Sequence, residues 1–167
     1  KTVIEALRSL DSQYGLLTLS PAFARNVKEI GRLATVLEGT YENRCAYVHA
    51  SMFGIMSLFC LGESEEAWRQ FEKSIVITHE NCTMTPFVMP NSYCCNPDYF
   101  IDGVSMGDWY TGSGTVVIKD LVKYGVGLCP TLDGMILQTP KTLPSEKIAV
   151  DLPIKGCQVS FRYENRK

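Results

Sequence analysis

The chain has 167 residues, of which 46% are hydrophobic and 20% are charged. This balance is typical of a globular protein, and it excludes disordered and collagen-like chains. The length suffices for one ordinary domain, or somewhat more, with a hydrophobic core that is stable without disulfide bonds or a structural metal. The formal net charge of -2 argues against the basic surface of a nucleic-acid-binding protein, so no nucleic-acid partner is expected.

Residues 46–62 form the longest weakly charged stretch, with His49 as its one basic side chain. The stretch lies at the lower limit for a membrane span and contains Ser51, Gly54 and Ser57. We therefore interpret it as a buried core helix rather than a membrane helix. No signal-peptide pattern opens the chain, and we expect no membrane partner and a cytoplasmic location.

Seven cysteines occur at irregular spacing, which favours a reducing compartment over a secreted disulfide scaffold. His79, Cys82, Cys94 and Cys95 are the one set that could supply four metal ligands. Their spacing, with two adjacent cysteines, does not match common zinc sites. We expect neither a metal nor another cofactor.

The spacing of apolar residues predicts four helices, at residues 3–10, 47–61, 64–75 and 111–124. Gly62 is a natural end for the second helix, and Ser64 can cap the third. The third carries an apolar stripe of Ala67, Trp68, Phe71 and Ile75. Because only residues 62 and 63 separate the second and third helices, these helices should be antiparallel neighbours.

Residues 78–108 are predicted to be a long loop, and loops of this length in compact domains tend to be functional. After residue 128, short apolar runs at residues 135–137, 148–150 and 158–161 alternate with prolines and glycines, which indicates strands and turns. The predicted fold class is therefore mainly α then β, with one domain at residues 1–127 and another at 128–167. The few predicted strands should pair with further chain or pack on the helices, and both ends look cut from a longer protein.

Thr111, Gly112 and Ser113 stand at the start of the fourth predicted helix. Free backbone N–H groups and the helix dipole make such a start a ready anion site. The plainer interpretation, which the residues alone favour, is a capped helix with glycines for close packing.

Two further segments could contribute polar groups to a site. Glu42 to His49 brings a carboxylate, an amide and a histidine to the start of an apolar helix, where a lone histidine is more often a core or capping residue than a ligand. Asn91 lies in the long loop and could bond a sugar hydroxyl or a phosphate. Nearby aromatic residues could stack on sugars, or could simply pack the loop on the domain: Tyr93, Tyr99, Phe100, Trp109 and Tyr110.

Taken in order, these segments resemble glycoside hydrolase family 94, the inverting β-glycoside phosphorylases, which include cellobiose and β-1,2-oligoglucan phosphorylases. The matching stretches are Tyr14-Gly15-Leu16 with Pro21, Gly39-Thr40-Tyr41-Glu42-Asn43 leading to His49, Ala67-Trp68, Pro86-Phe87-Val88, Trp109-Tyr110-Thr111-Gly112-Ser113, and Tyr124-Gly125-Val126-Gly127-Leu128 followed by Pro130, Asp133, Gly134, Ile136 and Pro140.

The resemblance implies a fold and a reaction. The fold would be the last helices of an (α/α)6 barrel followed by the start of a C-terminal β-sandwich. In the reaction, inorganic phosphate attacks the anomeric carbon of a β-linked glucose oligosaccharide with inversion, giving an α-sugar 1-phosphate. The general acid would lie upstream, so this chain alone is expected to be inactive and to contain no catalytic residue. A homodimer is expected by the same analogy.

The resemblance also implies roles for individual residues. His49, Thr111 and Gly112 match phosphate-binding positions, and Asn91 falls where some members have a phosphate-contacting glutamine. The Pro90-Asn91 pair looks more like the β-1,2-oligoglucan branch. The expected substrate contacts are Glu42, Arg44 and Tyr110.

One departure concerns Glu42-Asn43-Arg44-Cys45, where the family commonly has Glu-Asn-Gly-Gly. Arg44 could add a positive charge at the phosphate or could block the pocket. Asp102 and Asp108 are not assigned as the general acid. Two alternatives stay open: a non-catalytic carbohydrate-binding or assembly module, and a glycoside hydrolase on the same barrel.

Overall fold

The computed structural model describes residues 2–25, 27–76, 88–108, 111–138 and 141–164. The helices are α1 (Thr2–Ser9), α2 (Val48–Leu61), α3 (Ser64–Ser74) and α4 (Ser113–Asp120), with a 3-10 segment at Lys28–Thr35 and a π-helical turn at Leu121–Gly125. The strands are β1 (Asp11–Ser12), β2 (Gly15–Leu16), β3 (Ala46–Tyr47), β4 (Ser92–Tyr93), β5 (Ser105–Met106), β6 (Leu128–Pro130), β7 (Met135–Leu137), β8 (Lys147–Ile154) and β9 (Cys157–Glu164).

All the described strands pair antiparallel. β3, β4 and β5 form one three-stranded sheet, while β1–β2, β6–β7 and β8–β9 form separate two-stranded hairpins. Strands therefore lie on both sides of residue 127, and the architecture is mixed α/β rather than α followed by β. The strands that the sequence did not indicate are two or three residues long, too short to show an alternating pattern.

Helix α2 lies at the centre of the core and packs against α3 and α4. Its buried apolar side chains are Val48, Met52, Ile55 and Leu58. The predicted stripe of α3 faces them, with Ala67, Trp68 and Phe71 buried. The interpretation of residues 46–62 as a buried core helix is confirmed, and no helix in the described part of the chain is both long enough and apolar enough to cross a bilayer.

The turn between α2 and α3 confirms the predicted helix end at Gly62. Gly62 adopts the left-handed conformation with φ 80°, and its N–H donates to the Phe59 carbonyl at 3.0 Å. The Glu63 N–H donates to the Leu58 carbonyl at 2.9 Å, which completes a Schellman cap. The prediction of Ser64 as the cap of α3 was wrong: Glu63 holds that position without a side-chain cap bond, and Ser64 is the buried first residue of the helix.

The C-terminal strands are attached to the helices at a few named points. Runs 135–137, 148–150 and 158–161 all fall within strands, as predicted. The Tyr163 hydroxyl donates to the Val126 carbonyl at 2.8 Å, and Trp68 Nε1 donates to the Thr142 carbonyl at 3.0 Å. These strands form two separate hairpins in the described residues rather than one sheet.

Asp120, the last residue of α4, is buried with 1% of its surface exposed. Its Oδ2 atom has no hydrogen-bond partner among the described residues. Burial raises the pKa of this carboxyl to about 6, although Lys119 and Lys123 act to lower it. Since the folded-state pKa exceeds the ordinary value of about 3.9, the charged form destabilises the fold, and stability falls as pH rises from about 4 to about 6.

Asp120→Asn should therefore stabilise the protein at pH 8 by up to about 3 kcal/mol, because the neutral amide avoids burying a charge. Below pH 4 the variant and the natural protein should unfold at the same urea concentration. Urea midpoints followed by tryptophan fluorescence at the two pH values measure this. Asp133→Asn, at an exposed position, is the control and should change stability by less than about 0.5 kcal/mol at either pH. A gain from Asp120→Asn that is equal at both pH values would contradict the explanation.

Candidate functional site

The candidate site lies where the three-stranded sheet meets the start of α2, and the start of α4 approaches the same helix at His49. Strand β3 leads directly into α2, and the Val48 N–H donates to the Asn91 carbonyl at 3.0 Å. The Asn91 N–H in turn donates to the carbonyls of Met106 at 3.1 Å and Gly107 at 3.3 Å. The backbone of Asn91 is thus held between the start of α2 and the turn after β5.

His49 and Gly112 are brought together by the contact between α2 and α4. His49 lies in the first turn of α2, and Gly112 directly precedes α4. A Cβ atom built on Gly112 would lie 3.6 Å from Cε1 and 3.9 Å from Nδ1 of His49, which is van der Waals contact. The edge of the His49 ring therefore faces the start of α4.

The start of α4 has a local hydrogen-bond pattern that differs in detail from the prediction. The helix begins at Ser113, so Gly112 rather than Thr111 occupies the cap position. Thr111 Oγ1 nevertheless accepts the Ser113 N–H at 3.1 Å, and its oxygen lies 2.6 Å from Ser113 Oγ. Ser113 is fully buried, while Thr111 is half-buried.

A cleft of about 170 Å³ lies beside the start of α2. Its lining residues are Tyr41, Glu42, Cys45, Tyr47 and Asn91. Glu42 and Asn91, two of the predicted residues, therefore share one cavity. The Tyr47 ring connects the cleft to His49, since the two ring centroids lie 6.2 Å apart in an edge-on arrangement.

Glu42 forms an ion pair with Arg32 in which both carboxylate oxygens accept hydrogen bonds, and the sequence did not predict this pair. Arg32 Nη2 donates to Oε1 at 2.7 Å and to Oε2 at 2.6 Å. The hydrogen bond from Arg32 lowers the pKa of the Glu42 carboxyl, so this side chain is a carboxylate at neutral pH. It can accept hydrogen bonds but has no proton to donate. Nothing in the sequence pattern marks Arg32, because it sits on the irregular 3-10 segment.

Arg44 does not line the cleft. Its Nη1 donates to the Cys95 carbonyl at 3.3 Å, away from the cavity residues. Its φ of 76° lies in the left-handed region, which glycine adopts without strain. Arg44 thus occupies a position whose backbone conformation favours glycine, and its guanidinium is used in holding neighbouring backbone.

Asn43 is a second residue of this segment whose role the structure reveals. It is fully buried, and its side chain accepts the Phe23 N–H at 2.9 Å. Its Nδ2 donates to the carbonyls of Phe23 at 3.0 Å and Val36 at 3.2 Å. Asn43 therefore ties the segment around residues 23 and 36 to the loop that carries Glu42.

The two aspartates left unassigned have structural partners. Asp102 accepts hydrogen bonds from the Asn96 N–H at 2.7 Å and the Tyr14 hydroxyl at 2.9 Å. Asp108 is buried and accepts from Ser105 Oγ at 2.9 Å. Cys45 also lines the cleft, but burial raises the pKa of its thiol to about 12, so it is not a thiolate nucleophile at neutral pH.

Some predicted residues lie outside the described part of the chain. Tyr110 is one of them, as are His79 and Cys82 of the candidate metal set. Within the described ranges, no group of three or more His, Cys, Asp or Glu residues is arranged to hold a metal ion.

Comparison with known proteins gives one family and two informative relatives. Residues 1–127 match the catalytic domain of the glycosyl hydrolase 94 superfamily. A 3-O-beta-D-glucopyranosyl-beta-D-glucuronide phosphorylase from Paenibacillus borealis is 29% identical over 136 residues, covering 79% of this chain and 18% of that protein. A solabiose phosphorylase from the same organism is 30% identical over 134 residues, covering 75% of this chain and 17% of that protein. The chain thus spans less than a fifth of the length of these curated relatives.

Proposed function

Because this chain belongs to the glycosyl hydrolase 94 superfamily, and carries part of its catalytic domain, we propose that it forms the phosphate-binding part of an inverting β-glycoside phosphorylase. In the proposed reaction, a phosphate oxygen attacks the anomeric carbon as the glycosidic C–O bond breaks. A carboxylic acid upstream of this chain protonates the leaving oxygen. The products are an α-sugar 1-phosphate and the shortened sugar. The phosphorolytic activity of both relatives supports this proposal.

The single observation that carries the proposal is the position of the His49 ring beside Gly112 at the start of α4, where a Cβ atom built on the glycine would meet the imidazole. A helix start offers free N–H groups and a favourable dipole to an anion. An imidazole N–H beside it adds a further donor, and hydrogen bonds to charged groups are about twice as strong as neutral ones. We assign phosphate to this place.

Thr111 has a defined part in that assignment. When the buried Ser113 hydroxyl donates to Thr111 Oγ1, the Thr111 O–H is left to donate elsewhere. Since Thr111 is half-buried, its proton can reach a phosphate oxygen above Gly112.

The cleft supplies the proposed sugar contacts. Its Glu42 carboxylate can accept hydrogen bonds from sugar hydroxyls, and the Tyr41 and Tyr47 rings give apolar faces. Asn91 lines the same cavity, and its side-chain amide can bond a sugar hydroxyl or a phosphate oxygen. Tyr110 remains a proposed substrate contact, while Arg44 is proposed to act on the Cys95 backbone instead.

We propose that α2, α3 and α4 are the last helices of an (α/α)6 barrel and that the strands after residue 127 begin a C-terminal β-sandwich. The packing of α2 on both other helices and the end of the family match at residue 127 support this division. Most of such a barrel would be supplied by chain outside these 167 residues.

The experiment is phosphate-dependent release of sugar 1-phosphate by the complete natural protein, with the 167-residue chain as a control. The panel contains β-linked glucobioses together with a β-1,3-linked glucosyl glucuronide and solabiose. The proposal predicts product with one linkage, only when phosphate is present, and none from the control chain. Release of free glucose without phosphate would instead establish a hydrolase. Sugar binding without any product across the panel would establish a non-catalytic carbohydrate-binding module.

A further inference from the structure

The imidazole of His49 is bounded on more than one side. One edge faces the backbone of Gly112, as described above. The ring of Phe53, four residues further along α2, lies with its centroid 5.5 Å from that of His49 and its plane tilted by 30°. The ring of Tyr47 meets the imidazole edge-on. The histidine is therefore held between an aromatic face and a helix start.

Phe53 is one of two large apolar residues of α2 with about half of their surface exposed, the other being Leu61 at 51%. Met52, Ile55 and Leu58 are buried in the core, but Phe53 is 49% exposed. Within the described residues, a half-exposed phenylalanine gains less from burial than its fully buried neighbours do. The feature that it does provide is a tilted, stacked face against His49.

We propose that Phe53 is a positioning residue that fixes the plane of the His49 imidazole against Gly112. A histidine side chain on an open helix surface can occupy several rotamers, and a phosphate would have to select one of them. Stacking on Phe53 removes that choice before phosphate binds. This inference rests on the proposed role of His49 in phosphate binding.

The test compares Phe53→Leu, which removes the ring, with Phe53→Tyr, which keeps it. Initial rates of sugar 1-phosphate release by the complete natural protein are measured with phosphate varied at saturating glycoside, and then with glycoside varied at saturating phosphate. Phe53→Leu should raise the apparent KM for phosphate about two- to tenfold, in line with the loss of one aromatic pair. The apparent KM for the glycoside should stay within about twofold, and Phe53→Tyr should restore the natural phosphate value.

Phe59→Leu is the matched control, because Phe59 is on the same helix but its ring meets Trp68 edge-on at 5.3 Å. It should lower the melting temperature without altering the KM for phosphate. Phe53→Met is a second ring-deleting variant, so the test does not depend on whether the leucine variant folds.

A double-mutant cycle separates positioning from packing. In a His49→Gln background, Phe53→Leu should have no further effect on the KM for phosphate, since it acts through the imidazole. An equal effect in both backgrounds would overturn the inference and leave Phe53 as a packing residue. If Phe53→Leu and Phe53→Met leave the KM for phosphate unchanged while His49→Gln raises it, the inference about Phe53 is overturned but the proposed phosphate site stands. An unchanged KM in His49→Gln itself would overturn the proposed phosphate site and this inference with it.

Discussion

Replacing His49 by alanine should raise the apparent KM for phosphate about 10- to 100-fold, the range expected when a hydrogen bond to a charged group is lost. The imidazole lies beside Gly112 at the start of α4, so its removal takes away a donor that the helix start cannot replace. The KM for the glycoside should change much less, because His49 does not line the cleft that contains Glu42. Steady-state rates of the complete natural protein at varied phosphate and varied glycoside measure the two values.

Ser57→Ala provides the control for this prediction. Ser57 lies two turns further along α2, and its hydroxyl donates to the Phe53 carbonyl at 2.8 Å within the same helix. Its removal should leave both KM values unchanged. Equal increases in both KM values for His49→Ala would indicate general damage to the site and would count against a phosphate contact.

Replacing Gly127 by alanine should destabilise the fold by about 3 kcal/mol or more, because strain and a steric clash act together. Gly127 has a φ of 84°, and a Cβ atom built there would overlap the carbonyl oxygen of Gln138. That overlap cannot be relieved by a side-chain rotation, since the obstructing atom belongs to the backbone. The Gln138 N–H also donates to the Gly127 carbonyl at 2.8 Å, so a shift would break the bond that joins the two segments.

The matched control is Gly134→Ala in the turn between β6 and β7. Nothing lies within 4 Å of a Cβ atom built on Gly134. Its replacement should change the free energy of unfolding by less than about 0.5 kcal/mol. Urea unfolding of the two variants measures both effects, and a Gly127→Ala protein as stable as the Gly134→Ala protein would contradict the predicted clash.

The helices and the longer strands could be predicted because their signals are local. The end of α2 depends on one glycine and the bonds that its conformation permits. The alternating residues of β8 and β9 show their period directly in the sequence. The sheet of β3, β4 and β5 could not be predicted in this way, because each strand is two residues long and its partners come from distant parts of the chain.

Some features of the candidate site could likewise be predicted from the sequence, and others could not. The family resemblance pointed to His49 and Gly112, and the packing of α2 on α4 brings them close together. No sequence pattern pointed to Arg32, since an ion pair with Glu42 depends on how an irregular segment returns to the cleft. The start of α4 was predicted two residues too early. Thr111 lies outside the helix, but its Oγ1 accepts the N–H of Ser113, and in the sequence such a threonine looks like the N-cap residue.

The way in which the 3-10 segment at Lys28–Thr35 is attached determines where the sequence of this protein can vary. None of the residues in Lys28–Thr35 is buried, yet Arg32 reaches the carboxylate at the rim of the cleft. Asn43 holds the flanks of the segment by backbone bonds that do not depend on the side chains of Phe23 and Val36. As far as the described residues are concerned, sequence in this stretch can therefore be exchanged for a segment of different charge without disturbing the core around α2. The stretch is a natural place for grafting, where substrate preference can diverge or be engineered while the helices stay unaltered.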